Sequence, residues 1–373
     1  MKILLVSKKD DAHAAAVMWG LRQLDCAATI WDTSDFPIRD SGCLHLGMED
    51  GPSMSLNIGG SDIAGPFDVI WHRRRGTPLA MPCSHPGDLK VIARESDEFI
   101  DNAIDSLDHE HTLHVNPSGP ARRARIKTVQ LREAKKAGFT IPDTMVGNDY
   151  HQVIAFFRKH SGRIIYKAFR PGGWITEDDS AVVLKTAALT ESDLQHEDAI
   201  RSCPGIFQEL VEKAYELRVT VIGRKVLAAA IDSQKDGQSI DWRYDGILGK
   251  TPLRATILPQ VIEERCLQLC RNLNLAFGCI DLVVNKNGDY VFLEINEAGQ
   301  FLWKEDIDPS LLMLDTFCRY LAGMETADGA QTLRYADYLE SDSYQHFLSL
   351  NRLDPLTPDS FFTYEKQAVT TAS

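Results

Sequence analysis

Two carboxylates and one amide within "CIDLVVNKNGDYVFLEIN", residues 279–296, have a spacing that suits a metal ion. Branched and aromatic runs flank Asn287-Gly288, which is a strong signal for a β-hairpin. A two-residue turn there places Asp281 directly opposite Glu294, with Asn296 two residues further along the same face. Opposed acids repel and Mg²⁺ prefers oxygen ligands, so the pattern predicts a magnesium site. The alternative is a solvated hairpin face without a metal ion. If the two acids repel each other, the substitution Asp281→Asn would stabilise the metal-free chain.

Two lysines have positions from which they could meet phosphate groups. Lys167 ends the branched strand "RIIYKAF", directly before a loop rich in Gly and acids at 170–180. Lys127 lies among helix-like residues after "VNPSGP". Each lysine alone is more typical of a protein surface than of a phosphate site. The composition of the loop predicts a mobile segment.

The stretch "IFQELVEKAYELR", 206–218, leads from an apolar strand into three acids. One interpretation is an edge strand with exposed glutamates. The other is a nucleotide hinge, in which a downstream carboxylate, Glu216, takes the ribose hydroxyls. The backbone groups that would read adenine belong to Glu209, Leu210 and Val211. A turn at Gly223-Arg224 predicts a further hairpin with Glu216, Arg218 and Thr220 on one face.

The elements that must position these residues begin with an α/β layer. Over residues 1–115, short buried strands such as "KILLV" and "AATIWD" alternate with the helix pattern "AHAAAVMWGLRQL", which predicts a parallel sheet. "VNPSGP", 115–120, is typical of a linker. Beyond it the pattern predicts helices near 121–137, 150–159, 259–274 and 309–322.

Composition excludes several classes of protein. The 373 residues are 44% hydrophobic and 25% charged, which is ordinary for a globular chain with two or three domains. The net charge of −13 argues against a general nucleic-acid binder. Two basic segments, "HRRRG" at 72–76 and "ARRAR" at 121–125, are predicted to be solvated or to face phosphate.

Eight scattered cysteines predict reduced thiols and a cytoplasmic location. No apolar run reaches the roughly 18 residues of a membrane span, so no membrane partner is expected. "DHEHTLH", 108–114, lacks the His-Glu-x-x-His spacing of a zinc protease, and a metal site is not predicted there.

Taken in order, the lysines, the hinge strand, the acid-Leu-Arg strand and the Asp…Glu-x-Asn hairpin resemble the ATP-grasp superfamily. The resemblance implies ATP bound between two α+β subdomains and two Mg²⁺ ions. It maps the phosphate-binding lysines onto Lys127 and Lys167, and the metal ligands onto Asp281, Glu294 and Asn296.

A closer resemblance is carried by "FQELVEKAYELRVTVIG", "SIDWR", "FLEINEAGQFLW" and "VIWHRRR". These segments are similar to the maturases of microviridin-type peptides, the graspetide synthetases, over about residues 1–322. The resemblance implies a homodimer that recognises the leader of a ribosomal precursor peptide and closes side-chain ester or amide rings in it. It also implies four regions: an N-terminal (pre-ATP-grasp) domain at 1–115, a central subdomain at 116–205, a C-terminal subdomain at 206–324 and an extension at 325–373.

The implied chemistry passes through an acyl phosphate, in which charge neutralisation is the main task of the protein. Arg218 and Arg243 would each grip a carboxylate or phosphate with two hydrogen bonds. Asp241 is the candidate for orienting Arg243 or accepting a proton. Two alternatives stay open: a free-standing amino-acid or small-peptide ligase, and an ATP-binding regulator without catalysis.

Beyond residue 325 the chain becomes polar and irregular in pattern. Within it, "TLRYADYLESDSYQHFL", 332–348, loosely fits one apolar helical face. Three interpretations are open: a segment that docks on the leader site, a helix packed on the C-terminal subdomain, and a partly disordered tail.

Overall fold

A computed structural model describes most of the chain. The described residues are 1–45, 53–63, 65–107, 110–170, 173–175, 181–183, 186–234, 253–325 and 331–351. In this part of the chain no helix is long and apolar enough to cross a membrane.

The N-terminal region is built on a four-stranded parallel sheet, as the strand–helix alternation predicts. The elements up to residue 124 are β1 Lys2–Ser7, α1 Ala12–Gln23, β2 Ala27–Trp31, β3 Ser41–His45, β4 Ser53–Ile58, β5 Ser61–Ile63, β6 Val69–Arg74, α2 Leu89–Ser106, β7 Leu113–Val115 and α3 Ser118–Ala124. The parallel order is β2-β1-β6-β7. Asp11 caps α1, because its side chain accepts the backbone N–H of Ala14 at 2.9 Å.

Two helices cover opposite faces of this sheet. Helix α1 packs on one face with Ile3, Leu5 and Trp71, and α2 packs on the other with Leu4 and Ile70. A small antiparallel sheet, β3-β4-β5, lies beside α2. Neither α2 nor this small sheet follows from the strand pattern alone.

The middle of the chain forms a four-stranded antiparallel sheet with the order β12-β9-β13-β8. Its elements and neighbours are α4 Lys127–Lys136, β8 Thr144–Gly147, α5 Tyr150–Lys159, β9 Ile164–Lys167, β10 Gly173–Ile175, β11 Ala181–Val183, β12 Ala187–Ala188, α6 Glu197–Ser202 and β13 Gly205–Glu209. Strands β10 and β11 pair with each other. The helix expected over 121–137 is therefore two helices, α3 and α4.

A five-stranded antiparallel sheet carries the predicted metal hairpin at one edge. Its order is β16-β15-β14-β17-β18. The elements are β14 Lys213–Ile222, β15 Lys225–Ile231, β16 Leu253–Thr256, α7 Gln260–Leu273, β17 Phe277–Asn285 and β18 Tyr290–Asn296. Helices α4 and α7 bury one face against Leu217, Val219 and Ile280, so alternation turns Glu216, Arg218 and Thr220 to the other face.

Four further helices join the N-terminal region to this sheet. They are α8 Trp303–Ile307, α9 Met313–Leu321, α10 Tyr335–Leu339 and α11 Asp342–Asn351. Helices α9, α10 and α11 all pack on α1. One apolar core thus runs from α1 through Phe301 and Phe317 to Phe277 of β17.

The expectation of irregular structure beyond 325 is wrong for residues 331–351. Tyr335, Tyr338 and Phe347 are buried, with at most 5% of each exposed. The helical pattern seen in the sequence is confirmed, and the contacts support a structural role. The packing surface is mainly α1 of the N-terminal region rather than the C-terminal subdomain, because α1 supplies most of the contacts of α10 and α11.

Candidate active site

The β17–β18 hairpin turns through three residues rather than the two that Asn287-Gly288 predicts. The backbone N–H of Asn285 donates to the carbonyl of Asp289 at 3.0 Å, and Gly288 N–H donates back to Asn285 at 3.0 Å. Gly288 has a φ of +85°, which favours glycine. The side chain of Asn285 accepts the N–H groups of Asn287 and Asp289 and so fixes this turn.

With three turn residues instead of two, the strands should pair one residue away from the predicted register. Asp281 nevertheless lies opposite Glu294. The reason is a β-bulge: Leu282 pairs with Phe292, so Leu293 is an extra residue that restores the predicted register. The sequence prediction is confirmed because two local irregularities compensate. Asn296 lies on the same face as Glu294, opposite Cys279.

A third strand extends this pair into what we call the carboxylate row: Arg218, Asp281 and Glu294, side by side on β14, β17 and β18. The guanidinium of Arg218 donates to Oδ1 of Asp281. Lys127, the first residue of α4, donates from Nζ to Oε2 of Glu294 at 2.6 Å. Each acid therefore has a basic partner, and the simple picture of two unbalanced repelling acids is wrong.

The donor set fits a hard divalent cation. Two carboxylates and one amide are oxygen donors of the kind that Mg²⁺ takes, and each carboxylate has about four lone-pair directions, of which one ion pair uses one. Asn296 Oδ1 accepts the backbone N–H of Ala298 at 3.0 Å, which fixes the orientation of its amide. Among the described residues, no group of three or more His, Cys, Asp or Glu side chains could hold a metal ion, so this site would need the Asn296 amide as its third ligand.

A buried lysine beside the carboxylate row has no signature in the sequence. Lys304 of α8 is 1% exposed and its Nζ donates to the hydroxyl of Thr220, two residues from Arg218. Burial, together with the nearby charge of Arg218, lowers the pKa of Lys304 to about 8, although Cys279 and Asp281 oppose the shift. No periodicity marks this lysine, since it follows "FLW" at the start of a short helix.

Glu216 lies one pair further along β14, on the same face as Arg218. It is 8% exposed and its Oε1 accepts hydrogen bonds from Lys213 Nζ and Ser233 Oγ, both at 2.8 Å. Sequence analysis found Glu216 but not these two partners. Its contact with a ribose stays a prediction.

The other predicted nucleotide residues lie on the central sheet. Lys167 ends β9 and donates to Oε1 of Gln208 on β13 at 2.8 Å. Glu209 ends β13, and Leu210 and Val211 connect β13 to β14. The N–H groups of Glu209 and Leu210 donate to carbonyls of Asp143 and Arg163. The predicted site residues thus form two groups. One group lies on the sheet that carries the hairpin. The other lies at the ends of β9 and β13 and in the connection from β13 to β14.

Some predicted residues lie outside the described chain. Asp241 and Arg243 belong to 235–252, and most of the predicted loop at 170–180 is likewise not described. Within that loop, Gly173–Ile175 is a strand that pairs with Ala181–Val183. At the "DHEHTLH" segment, the described His114 meets a ring nitrogen of His72 at 3.0 Å.

Comparison with known proteins supports the same assignment. No protein-family model and no curated protein matches the sequence. Among solved structures, the macrocyclase MdnC bound with precursor peptide MdnA, from Microcystis aeruginosa MRC, is 26% identical with a TM-score of 0.76, over 87% of this chain and 100% of that one. A RiPP-associated ATP-grasp ligase of Chryseobacterium gregarium, in complex with ADP and a leader and core peptide, is 26% identical with a TM-score of 0.79, over 89% and 99%. The ATP-grasp ligase PsnB, complexed with a phosphomimetic variant of minimal precursor, Mg and ADP, is 22% identical with a TM-score of 0.67, over 87% and 98%, and shows the shared fold alone.

The two α+β sheets have the fold of the ATP-grasp ligases, and the predicted fold class is confirmed. At 26% identity over nearly the whole length of each, the chain is similar to RiPP-associated ATP-grasp ligases, the group of the microviridin-type maturases that its sequence resembles.

Proposed function

We propose that this enzyme uses ATP and Mg²⁺ to close side-chain ester or amide links in a ribosomal precursor peptide. The observation that carries the proposal is the carboxylate row, in which two acids on neighbouring strands each bond to a basic side chain. The peptide-bound ligases at 26% identity support the nature of the substrate.

The first chemical step joins two anions. A carboxylate oxygen of a peptide Asp or Glu attacks the γ-phosphorus of ATP, the bond to ADP breaks, and an acyl phosphate forms. Charge neutralisation and alignment dominate such a step. Lys127 and Lys167 would neutralise phosphate charge, and Arg218 would hold the reacting carboxylate by the two parallel bonds that a lysine cannot make.

Asp281, Glu294 and Asn296 would hold magnesium, and we propose two ions. Bound there, Mg²⁺ supplies charge neutralisation for the phosphate oxygens. The Arg218 and Lys127 bonds to this row hold Asp281 and Glu294 in place. Lys304 bonds to Thr220 on β14, two residues from Arg218, and so supports that strand.

In the second step a Ser or Thr hydroxyl, or a Lys amine, of the peptide attacks the acyl carbon. The carbon–oxygen bond to phosphate breaks, and the nucleophile loses a proton. We propose Arg243 for gripping the acyl phosphate and Asp241 for orienting that arginine or taking the proton. Closure of the 170–180 segment over ATP would exclude water, which otherwise hydrolyses the intermediate.

For the nucleotide base we propose the backbone of Glu209, Leu210 and Val211, with Glu216 at the ribose. Because the N–H groups of Glu209 and Leu210 already donate within the fold, the edge of adenine would be read by the N–H of Val211 and by carbonyl oxygens of this stretch. Lys213 and Ser233 hold the Glu216 carboxylate in one orientation.

For the larger organisation we propose an N-terminal domain to residue 115, two ATP-grasp subdomains and the extension from 325. Because strand β13 pairs with β8 and β9, we propose that the division between the subdomains falls after Glu209 rather than at residue 205. We further propose a homodimer that acts in the cytoplasm and recognises the leader of its precursor.

The test uses purified full-length protein with ATP, Mg²⁺ and synthetic peptides from the short reading frames that neighbour its gene. We expect ADP release together with peptides that have lost one water per link, by mass spectrometry, and only when the leader is present. ADP release with free amino acids instead would support the small-peptide ligase. ATP binding without ADP release from any mixture would support the regulator.

A second experiment separates nucleotide from peptide duties. Lys167→Ala should weaken ATP binding in calorimetry. Arg243→Lys should leave ATP affinity unchanged but slow ring formation, because it keeps the charge and loses the paired geometry. Equal losses of ATP affinity in both variants would contradict this division.

A further inference from the structure

A cleft of about 810 Å³ lies beside the carboxylate row, at the carboxyl edge of the parallel sheet. It opens where β1 and β6 are neighbours. From there β1 continues through α1 to β2 on one side, and β6 continues through α2 to β7 on the other. Such a switch point leaves a crevice outside the strand ends, where open α/β sheets bind ligands.

The charges that line this cleft are unequal. We call it the basic cleft; its basic lining residues are Lys8, Arg73, Arg74, Arg75, Arg122 and Arg125. Its acidic lining residues are Asp101, Asp105 and Glu297. The excess of three positive charges stands out in a chain with a net charge of −13. Both basic segments of the sequence contribute, although they are about 50 residues apart.

Existing ion pairs account for only part of the basic charge. Arg75 bonds Asp101 at 2.6 Å and Arg125 bonds Glu297 at 2.5 Å. Arg74 lies 3.7 Å from the carboxylate of Asp11 and keeps 47% of its side chain exposed. Within the described residues, Lys8 and Arg122 form no ion pair.

Arg73 forms the floor of the basic cleft. Its side chain is 1% exposed, its Nε lies 3.4 Å from the carboxylate of Asp11, and Nη1 donates to the carbonyl of Ala298. Its Nη2 is buried and has no hydrogen-bond partner in the described chain. A buried N–H without a partner is costly, and an anionic oxygen in the cleft would satisfy it.

The basic cleft and the carboxylate row share one segment of chain. Glu297 and Ala298 line the cleft and directly follow Asn296, while Arg125 lies two residues before Lys127. The four steps of chain from Glu294 to Ala298 span at most about 14 Å. An extended peptide crosses that distance in about four residues.

None of the residues proposed above to hold ATP lines the basic cleft. Guanidinium groups from two separate segments suit several carboxylates spread along a peptide. We propose that the basic cleft binds acidic side chains of the peptide substrate a few residues away from the one being activated, and so sets which carboxylate reaches the row. This inference rests on the proposed function, since it names how the same substrate is positioned.

The test measures binding of a fluorescein-labelled peptide of alternating Asp and Gly to the full-length protein, by fluorescence anisotropy. An Asn–Gly peptide of equal length is the neutral control. The variant is Arg74→Ala with Arg122→Ala, both exposed. The matched variant is Arg94→Ala with Arg158→Ala, which removes the same charge from exposed positions outside the cleft. Calorimetry with ATP and thermal melting accompany each protein.

We expect the Kd of the Asp–Gly peptide to rise about tenfold in the cleft variant and to stay unchanged in the matched variant. The Kd of ATP should be unchanged in both. Added salt should weaken wild-type binding of the Asp–Gly peptide, which keeps the test decisive if the cleft variant does not fold. Equal Kd values for the Asp–Gly and Asn–Gly peptides, or a tenfold loss of ATP affinity in the cleft variant, would overturn the proposal.

The outcome is separable from that of the proposed function, because binding of the Asp–Gly peptide needs no turnover. Cleft-dependent binding without any ring formation would refute the proposed ligation and leave the cleft assignment standing. Ring formation in a protein whose peptide binding ignores the cleft arginines would refute the cleft assignment alone.

Discussion

The carboxylate row and the basic cleft lie side by side but differ in their balance of acidic and basic side chains. In the row, Arg218 and Lys127 each bond to one acid. In the cleft, basic side chains outnumber acidic ones by three. The acids of the row are therefore already held by bonds within the fold, whereas the cleft keeps positive charge available for an anion from outside.

The two regions also differ in how deeply their charges are buried. Arg218 and Asp281 keep 19% and 15% of their side chains exposed, and Lys304 beneath them is 1% exposed. In such surroundings an opposite charge is worth more than at the surface. Arg74 and Arg75 are more exposed, so the cleft should respond to salt more strongly than the row.

The sharpest stability test concerns Arg73, the one cleft arginine with a buried side chain bonded to the fold. We expect Arg73→Leu to lower the free energy of unfolding by about 4 kcal/mol, because it leaves the buried Asp11 without its main partner. Exposed Arg94→Leu should cost less than about 0.5 kcal/mol. Urea unfolding measures both. Equal stability of the two variants would show that the floor of the cleft is not structural.

A second prediction concerns pH and Lys304. Its pKa is about 8 in the folded chain and 10.5 in an ordinary lysine, so the unfolded state holds more protons between these values. This group therefore makes the folded state more stable as pH rises from 8 to 10.5, by up to about 3 kcal/mol.

Lys304→Met removes that group while filling its space. The stability of the variant minus that of the wild type, in metal-free buffer, should be largest near pH 7 and shrink toward pH 10.5. Taking this difference cancels the titration of the other side chains. A difference independent of pH would mean that Lys304 is not held in the buried environment beneath the row.

The smallest expected effect tests the balance of the row itself. Repulsion between opposed acids predicted that Asp281→Asn stabilises the metal-free chain. Arg218 bonds to Asp281, and the substitution leaves this arginine without its ionic partner. We therefore expect the free energy of unfolding to fall by about 1 kcal/mol. Differential scanning fluorimetry in chelator, with Asp289→Asn as control, measures it. A rise in the melting temperature would restore the repulsion argument.

Local patterns in the sequence predicted the row well. Alternation along β14 placed Glu216, Arg218 and Thr220 on one face, and the hairpin placed Asp281 opposite Glu294. The turn length was nevertheless wrong by one residue. The bulge at Leu293 compensates for it, and no residue pattern in a strand announces such a bulge.

Features that depend on distant contacts could not be predicted. Lys304 can be buried because Thr220, far away in the chain, accepts a hydrogen bond from its ammonium group. The basic cleft forms only when the ends of β1 and β6 meet the segment after β18. The aromatic side chains of α10 and α11 become core residues only because α1 offers them a surface. The hydrophobic period and the composition of a segment carry no information about which distant segment it will contact.

The central claim is that the carboxylate row drives ATP-dependent ligation. Its most direct test measures ADP and peptide mass in one reaction for the wild type, Glu294→Ala and the hairpin control Asp289→Ala. We predict one ADP per water lost for the wild type and the control, and a rate at least about a thousandfold lower for Glu294→Ala with an unchanged melting profile. Link formation by Glu294→Ala at the wild-type rate would contradict the account.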